Sequence, residues 1–246
     1  DLGCGRGSNL RYLAPRLPVA QHWTLIDHDA GLLEQARQRC AGVLSGDGST
    51  VSVVTRQADL RTLPAGFWQP QDPVRLITAS ALIDLVSAGW LQQLLARLTA
   101  VDAALLVTLS YDGGFALPPR TDLPAGEAAL TQEVREAFNA HQRGSGPFGA
   151  GLGPDATAVL GDQLVQAGYR VTTGISPWQV GPEHAGLQRG LLAGWAGAAA
   201  EQRPGRAEVY LDWADRWLAR LAEPGPDVLR TLWVGHLDLL ALPAAV

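Results

Sequence analysis

The chain opens with DLGCGRGSN, a carboxylate at Asp1 followed by glycines at every second position, Gly3, Gly5 and Gly7. Glycine has no Cβ, so such a loop can turn sharply and let a ligand lie against the main chain. The helix expected next, capped by Ser8 or Asn9, presents free N–H groups and its positive dipole end to the same place. The spacing is G-x-G-x-G, and differs from the G-x-G-x-x-G loop that aims a helix end at a pyrophosphate. A tight loop with Asp1 beside it suits a ligand that carries a cationic group and no phosphates. Cys4 sits inside the loop as a small apolar filler rather than a nucleophile, with its backbone along the same ligand.

Two further acids give the loop its meaning. Asp27 ends the apolar stretch HWTLID, about twenty residues beyond Gly7, where a carboxylate at a strand tip takes ribose hydroxyls. A cap for the helix beginning near Ala30 is the plainer role for Asp27, and the two roles are compatible. Asp59 ends RQAD, where it can accept from an adenine amino group, although surface aspartates at strand ends are common. Acids at three successive strand tips, with a glycine loop under the first, describe an adenosyl ligand with a charged amino-acid tail.

With these motifs the chain resembles the class I S-adenosylmethionine-dependent methyltransferases. DLGCGRG is similar to their first motif, IDHDAGLLEQAR to the acidic second-strand motif, and QADLRTLP to the adenine-binding loop. The resemblance covers residues 1–110 and implies a Rossmann-like, doubly wound, mostly parallel α/β sheet. It also implies S-adenosyl-L-methionine as cofactor. Asp1, Gly3, Cys4, Gly5 and Gly7 would hold its methionine part, Asp27 the ribose, His28 one side of the adenine, and Asp59 with the Leu60 backbone the base. Arg75 departs from the family, which often has an acid before the fourth strand. In the family a central strand precedes the first motif, so the first strand is expected to be truncated here and the fragment to be poorly stable.

Methyl transfer is an in-line displacement, so the protein must align the acceptor and exclude water; a base is needed only for an acceptor protonated at neutral pH. The acceptor side lies beyond the fourth and fifth strands, at Ser80 and Asp84 and at Tyr111 and Asp112, expected just past the fifth strand. FNAHQRGSGPFG adds Asn139, His141 and Arg143. His141 is the first candidate for a base or acceptor contact, since its ordinary pKa lies near neutrality. His236, in VGHLDLL, reads as a hydrogen-bonded core histidine, and the tryptophans as core.

The elements that must position these residues follow the alternation of strand and helix patterns. Strands are expected at HWTLID, VSVVTRQADL, RLITAS and ALLVTLS, and helices at about 30–41 and at WLQQLLARL. This half, residues 1–112, is the cofactor-binding domain. Residues 113–154 are rich in Gly and Pro around one helix, EAALTQEVREAFNAHQ, and read as a lid. Residues 155–246 return to the sheet: a helix from Asp155 to Gly168, a strand YRVTTGIS, a helical insertion over 183–222, and a last strand within LRTLWVGHLDLLAL. In that insertion Leu211, Ala214, Trp217, Leu218 and Leu221 form the expected buried stripe.

Composition narrows the partners. The 246 residues carry a net charge of −5, and every one of the 19 cations is Arg, so no basic field draws the chain to nucleic acid or anionic lipid. No apolar run approaches the roughly 20 residues of a membrane span. The two cysteines, Cys4 and Cys40, have no neighbours at metal-ligand spacing. A small-molecule methyl acceptor, no nucleic acid, no membrane, no metal and a cytoplasmic location are the resulting expectations. A nicotinamide-dependent oxidoreductase shares the ribose acid but needs the longer glycine spacing; a non-catalytic nucleoside-binding module is the other alternative.

Overall fold

The computed structural model of the protein describes residues 1–62 and 74–244. The last two residues of QADLRTLP, Leu63 and Pro64, lie outside them. Helix α1 (Ser8–Leu13) starts from Gly7 in a left-handed conformation, so neither Ser8 nor Asn9 is the cap. After a single 3-10 turn come β1 (His22–Asp27), α2 (Ala30–Cys40) and β2 (Ser52–Gln57). The cap of α2 is Asp29, whose carboxylate accepts from the Gly31 and Leu32 N–H groups. That leaves Asp27 free of the capping role. Next are β3 (Leu76–Ser80) and α3 (Ala88–Val101), the latter capped by Ser87.

Strand β4 runs over Ala104–Ala116. Tyr111 and Asp112, expected beyond its end, therefore lie within it, because β9 (Leu232–Leu242) pairs with it along its whole length and supplies the hydrogen bonds. Helix α4 (Glu127–Gln142) falls on the expected lid helix, followed by a hairpin of β5 (Ser145–Gly146) and β6 (Gly149–Ala150). Then come α5 (Ala156–Gln166), β7 (Arg170–Ile175), β8 (Trp178–Val180), α6 (Ala185–Gln202) and α7 (Ala207–Ala222). Asp155 precedes α5 but its side chain turns to Arg143, 2.8 Å away, and makes no cap. Gly168 ends the helix with φ of 86°, which favours glycine. On α7 the buried stripe is Tyr210, Trp213, Ala214, Trp217 and Leu221. Leu211 is exposed, since the stripe follows the two larger aromatic side chains one position earlier.

Strands β1 and β2 pair in parallel, as do β3 and β4. Leu2 joins the two pairs, bridging in parallel to Ile26 on one side and Ala79 on the other. Strand β9 is antiparallel to both β4 and β7, and β8 lies along its beginning. The sheet is thus mostly parallel and helices cover both faces. Leu25 packs with Leu10, Leu33, Ala36 and Cys40, while Ile26, one residue on and pointing oppositely, packs with the core that holds Leu91, Leu94, Leu98 and Leu160. A third core forms where the later part of β4, the start of β9 and β8 meet α4, α6 and α7. Among the described residues no helix is long and apolar enough to cross a membrane.

Candidate active site

All three glycines of the first loop have positive φ: 63° at Gly3, 52° at Gly5 and 73° at Gly7. They differ in what surrounds them. A Cβ at Gly7 would collide with Cys40 Sγ, and one at Gly3 would meet the Leu82 and Leu60 side chains. Among the described residues a Cβ at Gly5 would meet nothing within 4 Å, so they leave the loop open to a ligand there. Gly7 closes the loop against the core and Gly5 presents it outward. The Cys4 thiol is buried, and burial first, then the Asp27 carboxylate, push its pKa up to about 12. It stays protonated, as a filler should.

Asp27 holds this loop. Its Oδ2 accepts from the Gly5 N–H at 2.9 Å and its Oδ1 from the Asp29 N–H at 3.0 Å. The exposed His28 places Nδ1 3.2 Å from the same Oδ1. Asp1 points into the same region: Oδ1 accepts from Asn9 Nδ2 at 2.8 Å and Thr78 Oγ1 at 2.7 Å. Its Oδ2 is buried and has no partner among the described residues. Sequence reasoning missed Asn9 and Thr78 as the groups that orient Asp1. Asn9 stood in the quoted loop, but Thr78 carried no local signal.

Asp59 is engaged by Arg61, which donates from Nε and Nη2 to its two oxygens and holds its pKa down to about 2. His28 adds a smaller pull on the same carboxylate, so residues 27, 28 and 59 share one rim. The buried Leu60 lies near Gly3, and its carbonyl accepts from Trp90 Nε1 at 2.8 Å. Asp1, Asp27, His28, Leu60 and the glycine loop are therefore brought together, with Asp59 beside them.

On the acceptor side, Ser80 ends β3 and Ala81 follows with φ of 52°, a conformation that strains a residue with a Cβ. The Asp84 carboxyl has a buried Oδ1 with no partner among the described residues, and burial raises its pKa. Tyr111 is buried against Phe138 with ring centroids 5.3 Å apart. Asp112 is exposed and accepts from the Gly114 N–H at 2.8 Å. Its carboxylate lies over Gly235, where a Cβ would collide with it. The expected cluster on α4 is divided: Asn139 donates to the Gly113 carbonyl, His141 Nε2 pairs with Glu201 on α6 at 3.0 Å, and Arg143 turns to Asp155. His236 is buried as expected and bonds the Val234 backbone; among the described residues its Nδ1 has no partner, and its ring tilts toward Trp178 at 4.8 Å. The Asp238 carboxylate accepts from the Leu109 N–H and Ser176 Oγ.

Residues 1–102 match the family described as "Methyltransferase domain". That match spans the glycine loop, Asp27 and Asp59. Among solved structures, the chain is similar to an S-adenosylmethionine-dependent methyltransferase from Methanosarcina mazei, at 10% identity and a TM-score of 0.48. That match covers 100% of this chain and 92% of the other. It is also similar to the (4+2)-cyclase SpnF, at 17% identity and a TM-score of 0.43, over 100% of this chain and 75% of that one. Coclaurine N-methyltransferase bound to N-methylheliamine and S-adenosylhomocysteine matches at 14% identity and a TM-score of 0.41, over 98% and 66%. Among curated proteins no relative matches.

Proposed function

We propose that this methyltransferase binds S-adenosylmethionine over the loop of Gly3, Gly5 and Gly7 and methylates a small-molecule acceptor held by the C-terminal half. The observation that supports the cofactor most is the Asp1 carboxylate. One oxygen is fixed by Asn9 and Thr78, and the other is buried without a partner. A buried, unpaired carboxylate oxygen is costly, about 1–3 kcal/mol, and an ammonium group is the partner it lacks. In this reading Asp1 takes the methionine ammonium, and Gly5 with the backbone of Cys4 passes beneath it. Asp27 accepts from the ribose hydroxyls while still fixing Gly5. His28 flanks the adenine, and Asp59 with the Leu60 backbone meets its edge. Ser80 closes the loop side of the pocket. When bound, the cofactor supplies an electrophilic methyl group on a sulfonium.

The chain's own work is to orient the acceptor and keep water out. Tyr111 and Asp112 stand on the strand that leaves the cofactor edge, and His141 on α4 reaches Glu201 on α6 through its Nε2. Calorimetry with S-adenosylhomocysteine and with NAD tests the reading. Binding of S-adenosylhomocysteine, lost in Asp27→Asn, with no binding of NAD is the expected outcome. Preference for NAD would overturn it.

A further inference from the structure

Tyr111 and His236 face each other across β4 and β9 as directly paired residues. Each is only 7% exposed, yet among the described residues neither Tyr111 Oη nor His236 Nδ1 has a hydrogen-bond partner. Each such group costs about 1–3 kcal/mol, and directly opposed residues have Cβ atoms about 4.5–5.5 Å apart. Two unpaired polar groups on directly paired residues mark a place where a ligand, not the fold, completes the bonding. Aromatic rings flank the pair, Phe138 against Tyr111 and Trp178 against His236. Burial keeps the imidazole neutral and the phenol protonated, against the smaller opposing effects of the Val234 carbonyl, Asp112 and Asp238 on His236 and of Arg135 on Tyr111. The pair thus offers one donor and one acceptor.

Register puts the pair at the cofactor edge. Leu2 pairs with Ala79 and Ala79 with Val107, so Gly3 and Tyr111 both lie past the same end of the parallel strands. Beyond the pair, Gly113 lies against Pro154 and Asn139, and Asn139 Oδ1 is a third buried polar atom with no partner among the described residues.

We propose that Tyr111 and His236 form the acceptor subsite of this methyltransferase, and that it takes a small, neutral aromatic molecule whose hydroxyl accepts from Tyr111 and donates to His236 Nδ1. The proposal rests on the methyltransferase reading above. A neutral donor–acceptor pair among rings favours such a molecule over a charged acceptor, whose desolvation it could not offset.

Calorimetry on the whole chain tests it, first with S-adenosylhomocysteine and then with p-cresol at saturating S-adenosylhomocysteine. Toluene serves as the probe without a hydroxyl. The wild type is expected to bind p-cresol at least about tenfold more tightly than toluene. Tyr111→Phe and His236→Gln should each weaken p-cresol about fivefold, one hydrogen bond's worth, and leave toluene and S-adenosylhomocysteine unchanged, which also shows that both variants fold. No binding of p-cresol, equal binding of toluene, or full p-cresol affinity in both variants overturns the subsite. Failure of the wild type to bind S-adenosylhomocysteine overturns instead the methyltransferase reading beneath it.

Discussion

Three glycines of one motif do three different jobs, and their substitution separates them. Gly5→Ala adds a Cβ that meets nothing, so only its φ of 52° is strained, at about 1–2 kcal/mol. The same methyl group would stand in the ligand's path. We expect a small fall in melting temperature and a loss of S-adenosylhomocysteine affinity of about tenfold or more, above about 1.4 kcal/mol. Gly7→Ala reverses the balance, because its Cβ collides with Cys40 Sγ as well as straining φ. It should cost about 2–5 kcal/mol of stability, partly restored in a Cys40→Ala background; a double-mutant cycle in urea measures the coupling. Equal stability loss at the two glycines would contradict this division. The acids follow the same logic: Asp27 was legible as a carboxylate at the tip of β1, but its grip on the Gly5 N–H was not, because that bond depends on where the loop folds back.

At the scale of elements, the least regular point of the sheet is the bulge in β4. Leu109 has φ of 56°, and the pairing with β9 slips between Val107 and Ser110. One carboxylate, Asp238, holds both sides, accepting from Leu109 N–H at 2.9 Å and from Ser176 Oγ at 2.8 Å. Asp238→Ala leaves a strained backbone N–H without its acceptor. We expect a loss of about 1–3 kcal/mol, read as a lower urea midpoint at unchanged slope; an unchanged midpoint would show the bulge holding without its clamp. The bulge is also what redirects β4 from the parallel core into the third core, carrying Tyr111 there. Nothing local in ALLVTLSYD announces it, since the clamp lies far along the chain. Elements built on local rules were legible: the strand HWTLID, the helix over Glu127–Gln142 and the stop at Gly168 all stand where pattern places them. The α7 stripe was not, because Leu211 and Tyr210 fit two overlapping helical periodicities and only packing against α4 and α6 selects the aromatic one. The site divides the same way. Its proposed cofactor half is a short-range motif, whereas its proposed acceptor half pairs residues from β4 and β9 that only the antiparallel register brings together.

For the whole molecule, the two buried titratable groups nearest the acceptor side set opposite slopes of stability with pH. Burial lowers the native pKa of His236 below its unfolded value of about 6.5. On acidification through that value the unfolded chain takes the proton first, so stability falls as pH drops. Burial raises the native pKa of Asp84 above its unfolded value of about 3.9. There the native state takes the proton first, so its contribution is fully present at low pH and is lost as pH rises through the raised value. Where it is ionised, Asp84 is thus a charge held at a cost, with a buried oxygen unpaired among the described residues. A fold keeps such a group where function requires it. Asp84→Asn should therefore stabilise the protein by about 1–3 kcal/mol at pH 7 and lose that advantage in acid, while His236→Gln should flatten the decline below about pH 6.5. Urea unfolding at a series of pH values measures both. A destabilised Asp84→Asn at pH 7 would mean that its carboxylate is already paired, and that the acceptor side carries one fewer group awaiting a ligand.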